Sequence, residues 1–127
     1  MLNQCKVVGF IPTKDATRAH AFYVDLLGLK KVSEDGFALV VNANGTAIRI
    51  VSTGEFTPAP YTILGWEVPD ITSAAETLTT KGVVFERFAY FEQDSDGIWT
   101  APNGSRVAWF RDPDGNTLSI SQHPSQA

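Results

Sequence analysis

The stretch "DPDGNTLSIS", residues 112–121, decides the fold. Its first half has turn composition, Asp-Pro-Asp-Gly-Asn, and "TLSIS" reads as the strand that leaves the turn. Successive strand side chains alternate between faces, so Leu118 and Ile120 share one face and Ser119 takes the other. A small hydroxyl between two aliphatics faces either solvent or a working surface. An earlier stretch has the same form. Gly45 and Gly115 differ by 70 positions, and Ile48-Arg49-Ile50 matches Leu118-Ser119-Ile120 at that same offset. Arg49 is therefore the counterpart of Ser119.

Working outward, the match extends over most of the chain. Asp15 and Asp70, Thr17 and Thr72, and Ala19 and Ala74 are each 55 positions apart. The glycines that close the two helical segments, Gly28 and Gly82, are 54 apart, one residue fewer. The larger offset at the last hairpin places about fifteen extra residues in the second half, around "EQDSDGIWTAPNGS". Shared order, more than any single match, marks an internal repeat.

Each unit reads as strand, helix and three strands. In the first, "CKVVGFI" is strand-like, and Ala19, Phe22, Tyr23, Leu26 and Leu27 fall at helical spacing before the stop at Gly28. Strands "KKVSED", "FALVVN" and "TAIRIVS" follow, separated by Asp-Gly and Asn-Gly turns. The Pro- and Gly-containing "GEFTPAP", residues 54–60, is a connector. The order then restarts with strand "YTILGWEV", helix "DITSAAETLTTKG", and strands "VVFERFAYF", "RVAWFR" and "NTLSISQ". The pattern predicts one α+β domain of two βαβββ modules in tandem, about residues 5–53 and 61–122. Their sheets would form a curled mixed sheet around a concave cavity, with the helices outside. Concave surfaces between modules are where small ligands bind, so Ser119 is read as lining a cavity.

Composition bounds the function. With 127 residues, 43% hydrophobic and 19% charged, the chain is long enough for an ordinary core and is not of disordered type. A net charge of −4 gives no reason to expect nucleic acid or an anionic membrane as partner. The N-terminus lacks the basic start and apolar run of a signal peptide, and no segment approaches the roughly 20 apolar residues of a membrane span. One cysteine, Cys5, excludes an internal disulfide and suits a cytoplasmic location. Alternation with Val7 turns Cys5 toward the helix, as a buried small hydrophobe. His20 reads as a surface position on the first helix, and His123 lies beyond the last strand.

The repeat, together with "FYVDLLGL" (22–29) and "WFRDPDGN" (109–116), resembles the vicinal oxygen chelate superfamily over about residues 5–122. That group includes glyoxalase I, metal-dependent fosfomycin resistance enzymes, extradiol dioxygenases and metal-free bleomycin resistance proteins. The resemblance implies a homodimer, and metal ligands on the first and last strands of each unit. Seven residues before Asp15 and Asp70 are Val8 and Ile63; on the last strands stand Arg49 and Ser119. Where His or Glu would be implied, two aliphatics offer no donor, a hydroxyl offers little, and a guanidinium repels the ion. The neighbours Val7, Gly9, Thr62 and Leu64 do not restore a site. The chain reads as metal-free and without a cofactor.

What remains is an apolar cup. Alternation groups Lys6, Val8 and Phe10, and likewise Ile63, Gly65 and Glu67, with Arg49 and Ser119. The resemblance turns Trp109 toward the cavity and Ala108 and Phe110 toward the helix. Trp66, alternating with Glu67, packs under the helix. Tyr90, Phe91 and Trp99 come to the cup's edge. The candidate ligand-binding residues are thus Val8, Phe10, Arg49, Ile63, Glu67, Trp99, Trp109 and Ser119. Aromatic walls suit a small organic molecule, aromatic or anionic. Arg49 either clamps an anion or pairs with Glu67. Glu67 is the one catalytic candidate, as a general base if buried. The reading is a metal-free binding protein of sequestering or resistance type. The alternative is an enzyme of the superfamily: a glyoxalase-like lyase, a dioxygenase or a metal-free isomerase.

Overall fold

The structure, a computed structural model, describes residues 1–124. The chain divides into two units between Thr57 and Pro58, inside the Pro-rich connector. Each unit carries one four-stranded mixed sheet and one main helix.

In the first unit, β1 (Val8–Thr13) leads into α1 (Ala16–His20), which continues as a π-helical segment, Ala21–Leu26. Strands β2 (Lys30–Glu34), β3 (Ala38–Ala43) and β4 (Thr46–Ser52) follow. Their order is β1-β4-β3-β2, with β1 parallel to β4 and the other pairs antiparallel. Ile11 pairs with Ile50, and Ile50 with Leu39, in one buried row. Ile48 and Val41 form the next row, and Ala19, Phe22 and Tyr23 of the helical segment are buried too. Each such aliphatic contributes about 1.5–3 kcal/mol through burial.

The second unit contains β5 (Thr62–Glu67), α2 (Ile71–Thr80), β6 (Trp99–Thr100), β7 (Arg106–Arg111) and β8 (Thr117–Gln122). The order β5-β8-β7-β6 repeats the first sheet, and β5 runs parallel to β8. Ala108, Phe110, Leu118 and Ile120 form the buried face, together with Ile71 and Ala75 of α2. Trp66 stacks on Phe110 at 6.4 Å, so it lies on the helix side as its alternation required.

The repeat persists in the backbone. Asp15 and Asp70 cap their helices with φ −146°, ψ 101° and φ −144°, ψ 101°. Each carboxylate accepts the N–H three residues on, from Arg18 and Ser73, at 3.1 Å. Such a cap is worth about 1 kcal/mol. Gly45 and Gly115 both sit at positive φ, 96° and 88°, which a side chain would strain. The slip from an offset of 55 to 54 also has a structural cause. The Leu27 N–H donates to the carbonyl of Phe22, five residues back, at 2.9 Å, and one additional residue is wound into that wide turn.

Two expectations are corrected. The strand "CKVVGFI" begins only at Val8; Leu2–Gln4 coil into a 3-10 turn that Cys5 closes by donating its N–H to Leu2. Alternation therefore does not reach Cys5, which is exposed. The segment "VVFERFAYF" is a loop, and the outer strand is the short β6 instead. Glu86 starts to pair, its N–H reaching the Trp109 carbonyl at 2.7 Å. Beyond it, the Gln93 amide takes over the role of a strand neighbour. It accepts from the Phe88 N–H and donates to the Glu86 and Gly97 carbonyls, all at 2.8 Å. Arg87 donates to the carbonyls of Asp94 and Ser95 and tightens the same loop.

Candidate functional site

The outward face of the second sheet is built in rows across the strands. One row is Gly65, Ser119 and Trp109; the next toward the turn is Thr62, Thr117 and Arg111. In the opposite direction stand Glu67, Ser121, Val107 and Trp99. The turn that sets this register is rigidly made. Buried Asp112 accepts the N–H groups of Asp114 and Asn116 and the Asn116 side-chain amide, each at 2.9 Å.

The hydroxyl at Ser119 rests directly on its neighbour in the row. A Cβ on Gly65 would lie 2.6 Å from Ser119 Oγ, so the glycine makes room for the serine. The bulge falls beside it. Ile63 is the extra residue between Thr62 and Leu64, and Thr62 faces Thr117 as Val8 faces Ala47. Counting back from the helix caps pointed to Ile63, whereas the strand register gives that place to Thr62. Ile63 is corrected accordingly: it does not line the pocket described next.

The loop held by Gln93 delivers Phe88, Tyr90 and Phe91 onto this face. Phe91 lies flat against Trp109, centroids 5.2 Å apart and planes within 4°. It stacks on Trp99 from the same cluster at 4.4 Å. Phe88 meets Trp109 edge-on at 5.5 Å, and Tyr90 meets Phe91 at 4.7 Å. Pairs in these geometries each add about 0.5–1.5 kcal/mol beyond area burial. Beside the cluster lies a pocket of about 550 Å³. Its walls are residues 58–62 with Phe88, Tyr90, Phe91, Trp109, Arg111, Gly115 and Thr117. Arg111 Nε also meets Glu86 Oε1 at 3.3 Å.

The candidate residues separate into two sets. Trp109 lines the pocket and Trp99 backs it through Phe91, while Ser119 stands in the same row as Trp109, outside the pocket lining. Glu67 is exposed at the end of β5, not buried as a general base there would require. Val8, Phe10 and Arg49 belong to the first sheet, where Phe10 pairs with Arg49 and Arg49 with Val40. Val8 and Phe10 are exposed. The N–H groups of Phe37 and Ala38, and then the Arg49 charge, hold the exposed Asp35 carboxyl below its usual range. The sequence reading overlooked Tyr61, Phe88 and Arg111. Arg111 was within reach of alternation, because it lies two residues from Trp109 on the same face. Tyr61 and Phe88 depend on loop paths that carry no periodic signal.

Neither histidine lines the pocket. His20 Nδ1 lies 3.7 Å from Asp25 Oδ2 on its own helix, and His123 bridges the hydroxyls of Ser105 and Ser121 at 2.9 and 3.1 Å. Among the described residues, no three His, Cys, Asp or Glu side chains stand close enough together to hold a metal ion. At the four places implied for ligands, the side chains are Val8, Arg49, Ser119 and, by register, Thr62. This donor set does not fit a divalent cation.

Paired βαβββ modules, each with its first strand parallel to its last, define a fold class. The sequence profile of the Glyoxalase/Bleomycin resistance protein/Dioxygenase superfamily matches residues 2–120, and the chain belongs to that superfamily. Solved structures agree on the fold. A superfamily member from Sphaerobacter thermophilus has a TM-score of 0.72 at 23% identity, covering 97% of this chain and 100% of its own. The lactoylglutathione lyase of Agrobacterium tumefaciens has a TM-score of 0.73 at 16% identity, with 94% and 93% covered. A bleomycin-binding protein complexed with bleomycin has a TM-score of 0.73 at 18% identity, with 94% and 98% covered. No curated protein sequence matches. No helix among the described residues is long and apolar enough to cross a membrane.

Proposed function

We propose that this chain binds a flat small organic molecule in the aromatic pocket of its second module, without a resident metal, and sequesters it rather than transforming it. The pocket wall carries the reading. Phe91 and Trp109 lie parallel, with Phe88 and Tyr90 beside them, beneath a space of about 550 Å³. That volume falls within the range of small-molecule sites, and a preformed stacking surface binds planar ligands with little ordering cost. The fold shared with a bleomycin-binding protein supports a binding role. The misfit of the donor set supports the absence of a metal. The homodimer implied by the superfamily forms part of this proposal; exposed Val7, Phe10 and Phe37 support it, and sedimentation velocity tests it.

The neutral bicyclic probe 2-naphthamide tests the pocket. Its titration is expected to quench tryptophan fluorescence saturably, and Trp109→Ala to weaken that binding at least tenfold, as loss of an aromatic anchor does. Absence of saturable quenching up to the solubility of the probe would end this reading.

A further inference from the structure

We infer that Arg111, held in reserve by Glu86, makes the pocket selective for flat ligands carrying a carboxylate or similar anionic group. This rests on the pocket reading above and adds the chemistry of its ligand. Three observations carry it.

First, Arg111 is the one cationic side chain among the residues lining the pocket. Second, the strand register sets it in a polar row with Thr117 and Thr62, beside the row that holds Trp109. Rows on one face are two residues apart, about 7 Å along the strand. A ring seated in the pocket against the Phe91–Trp109 pair therefore presents its substituent to the row of Arg111, Thr117 and Thr62. The row beyond Trp109 on the other side holds Glu67, whose charge disfavours an anion at that end. The ligand's orientation is set by this polarity.

Third, Arg111 is already engaged, but incompletely. Glu86 meets it through Nε at 3.3 Å, and its terminal nitrogens keep the paired donors that a carboxylate takes in bidentate fashion. The Glu86 backbone is pinned, its N–H by Trp109 and its carbonyl by Gln93. Its carboxylate thus stays beside Arg111 as a built-in competitor. It neutralises the empty site and lowers affinity for weak anions.

The test compares 2-naphthoate with its neutral isostere 2-naphthamide, by calorimetry at neutral pH. The Arg111 side chain is 56% exposed, so the contact is partly screened and the expected preference for naphthoate is about tenfold. Arg111→Gln should abolish the preference, bringing naphthoate and the amide to equal affinity; Arg111→Lys should keep part of it. Glu86→Gln should tighten naphthoate alone, by about threefold or more, since a competing charge is removed. Circular dichroism melts establish that each variant is folded. Equal binding of both probes by the unaltered protein overturns the inference while the pocket reading stands, as does a preference that survives in Arg111→Gln. Failure of both probes to bind overturns the pocket reading and this inference with it.

Discussion

The residue that posed the question, Ser119, answers it by its contact with Gly65. In a strand interior a glycine costs about 0.5–1 kcal/mol relative to alanine through backbone freedom, so Gly65→Ala would by itself stabilise the sheet. The added Cβ, however, would lie 2.6 Å from Ser119 Oγ and 3.4 Å from the Ser119 carbonyl oxygen. The hydroxyl must rotate away, and the gain is cancelled or reversed. In a Ser119→Ala background the close oxygen is gone, and Gly65→Ala should then be stabilising. The expected coupling in a double-mutant cycle is about 1 kcal/mol, measured by urea denaturation of the four proteins. Additive effects would show that the serine does not need the glycine. The alternation of Ser119 against Leu118 and Ile120 was legible in the sequence. Its partner across the strands was not, because the Ile63 bulge changes the register without any local signal.

At the scale of elements, the segment from Val83 to Ile98 shows why propensity misled. "VVFERFAYF" is rich in β-branched and aromatic residues, yet only Glu86 pairs with β7 through its N–H. One side chain, Gln93, satisfies three backbone groups that a strand neighbour would otherwise satisfy. Gln93 is therefore a positioning residue for Phe88, Tyr90 and Phe91, although it does not line the pocket. Gln93→Ala should destabilise the module by roughly 1–3 kcal/mol as those groups lose their partners. It should also speed hydrogen exchange at the Phe88 amide, while the Asp112–Asn116 turn stays protected. Binding of 2-naphthamide should weaken because the ring wall is no longer preorganised. An unchanged Phe88 exchange rate would assign the loop's order to ring stacking alone. The helix starts and hairpin glycines, by contrast, were legible as repeated positions, and the structure shows why Asp15 and Asp70 recur: each acts on backbone only three residues away. Short-range chemistry leaves a sequence signature; a side chain standing in for a strand does not.

At the scale of the molecule, the resemblance to the superfamily implies metal ligands on the first and last strands of each module, and this chain's own residues decide whether an ion can bind. Both modules keep the parallel first and last strands that would present such ligands. At those places stand an isopropyl group, a guanidinium and two hydroxyls, none of them an anionic or imidazole donor. The protein incubated with zinc, manganese, nickel or iron(II) and then desalted should therefore retain no stoichiometric metal. Its melting temperature should not move when each metal is present in excess. The control value is large. A site saturated at a hundred times its dissociation constant stabilises the folded state by about 2.7 kcal/mol. For a chain of this length that raises the midpoint by roughly 10 °C, far above the error of a melt. One retained equivalent with such a rise would place the ligands outside these four positions and return the enzyme alternative to the front. A flat response to metals, with a rise on adding 2-naphthoate that Trp109→Ala removes, would assign the ligand-binding energy to the aromatic pocket of the second module.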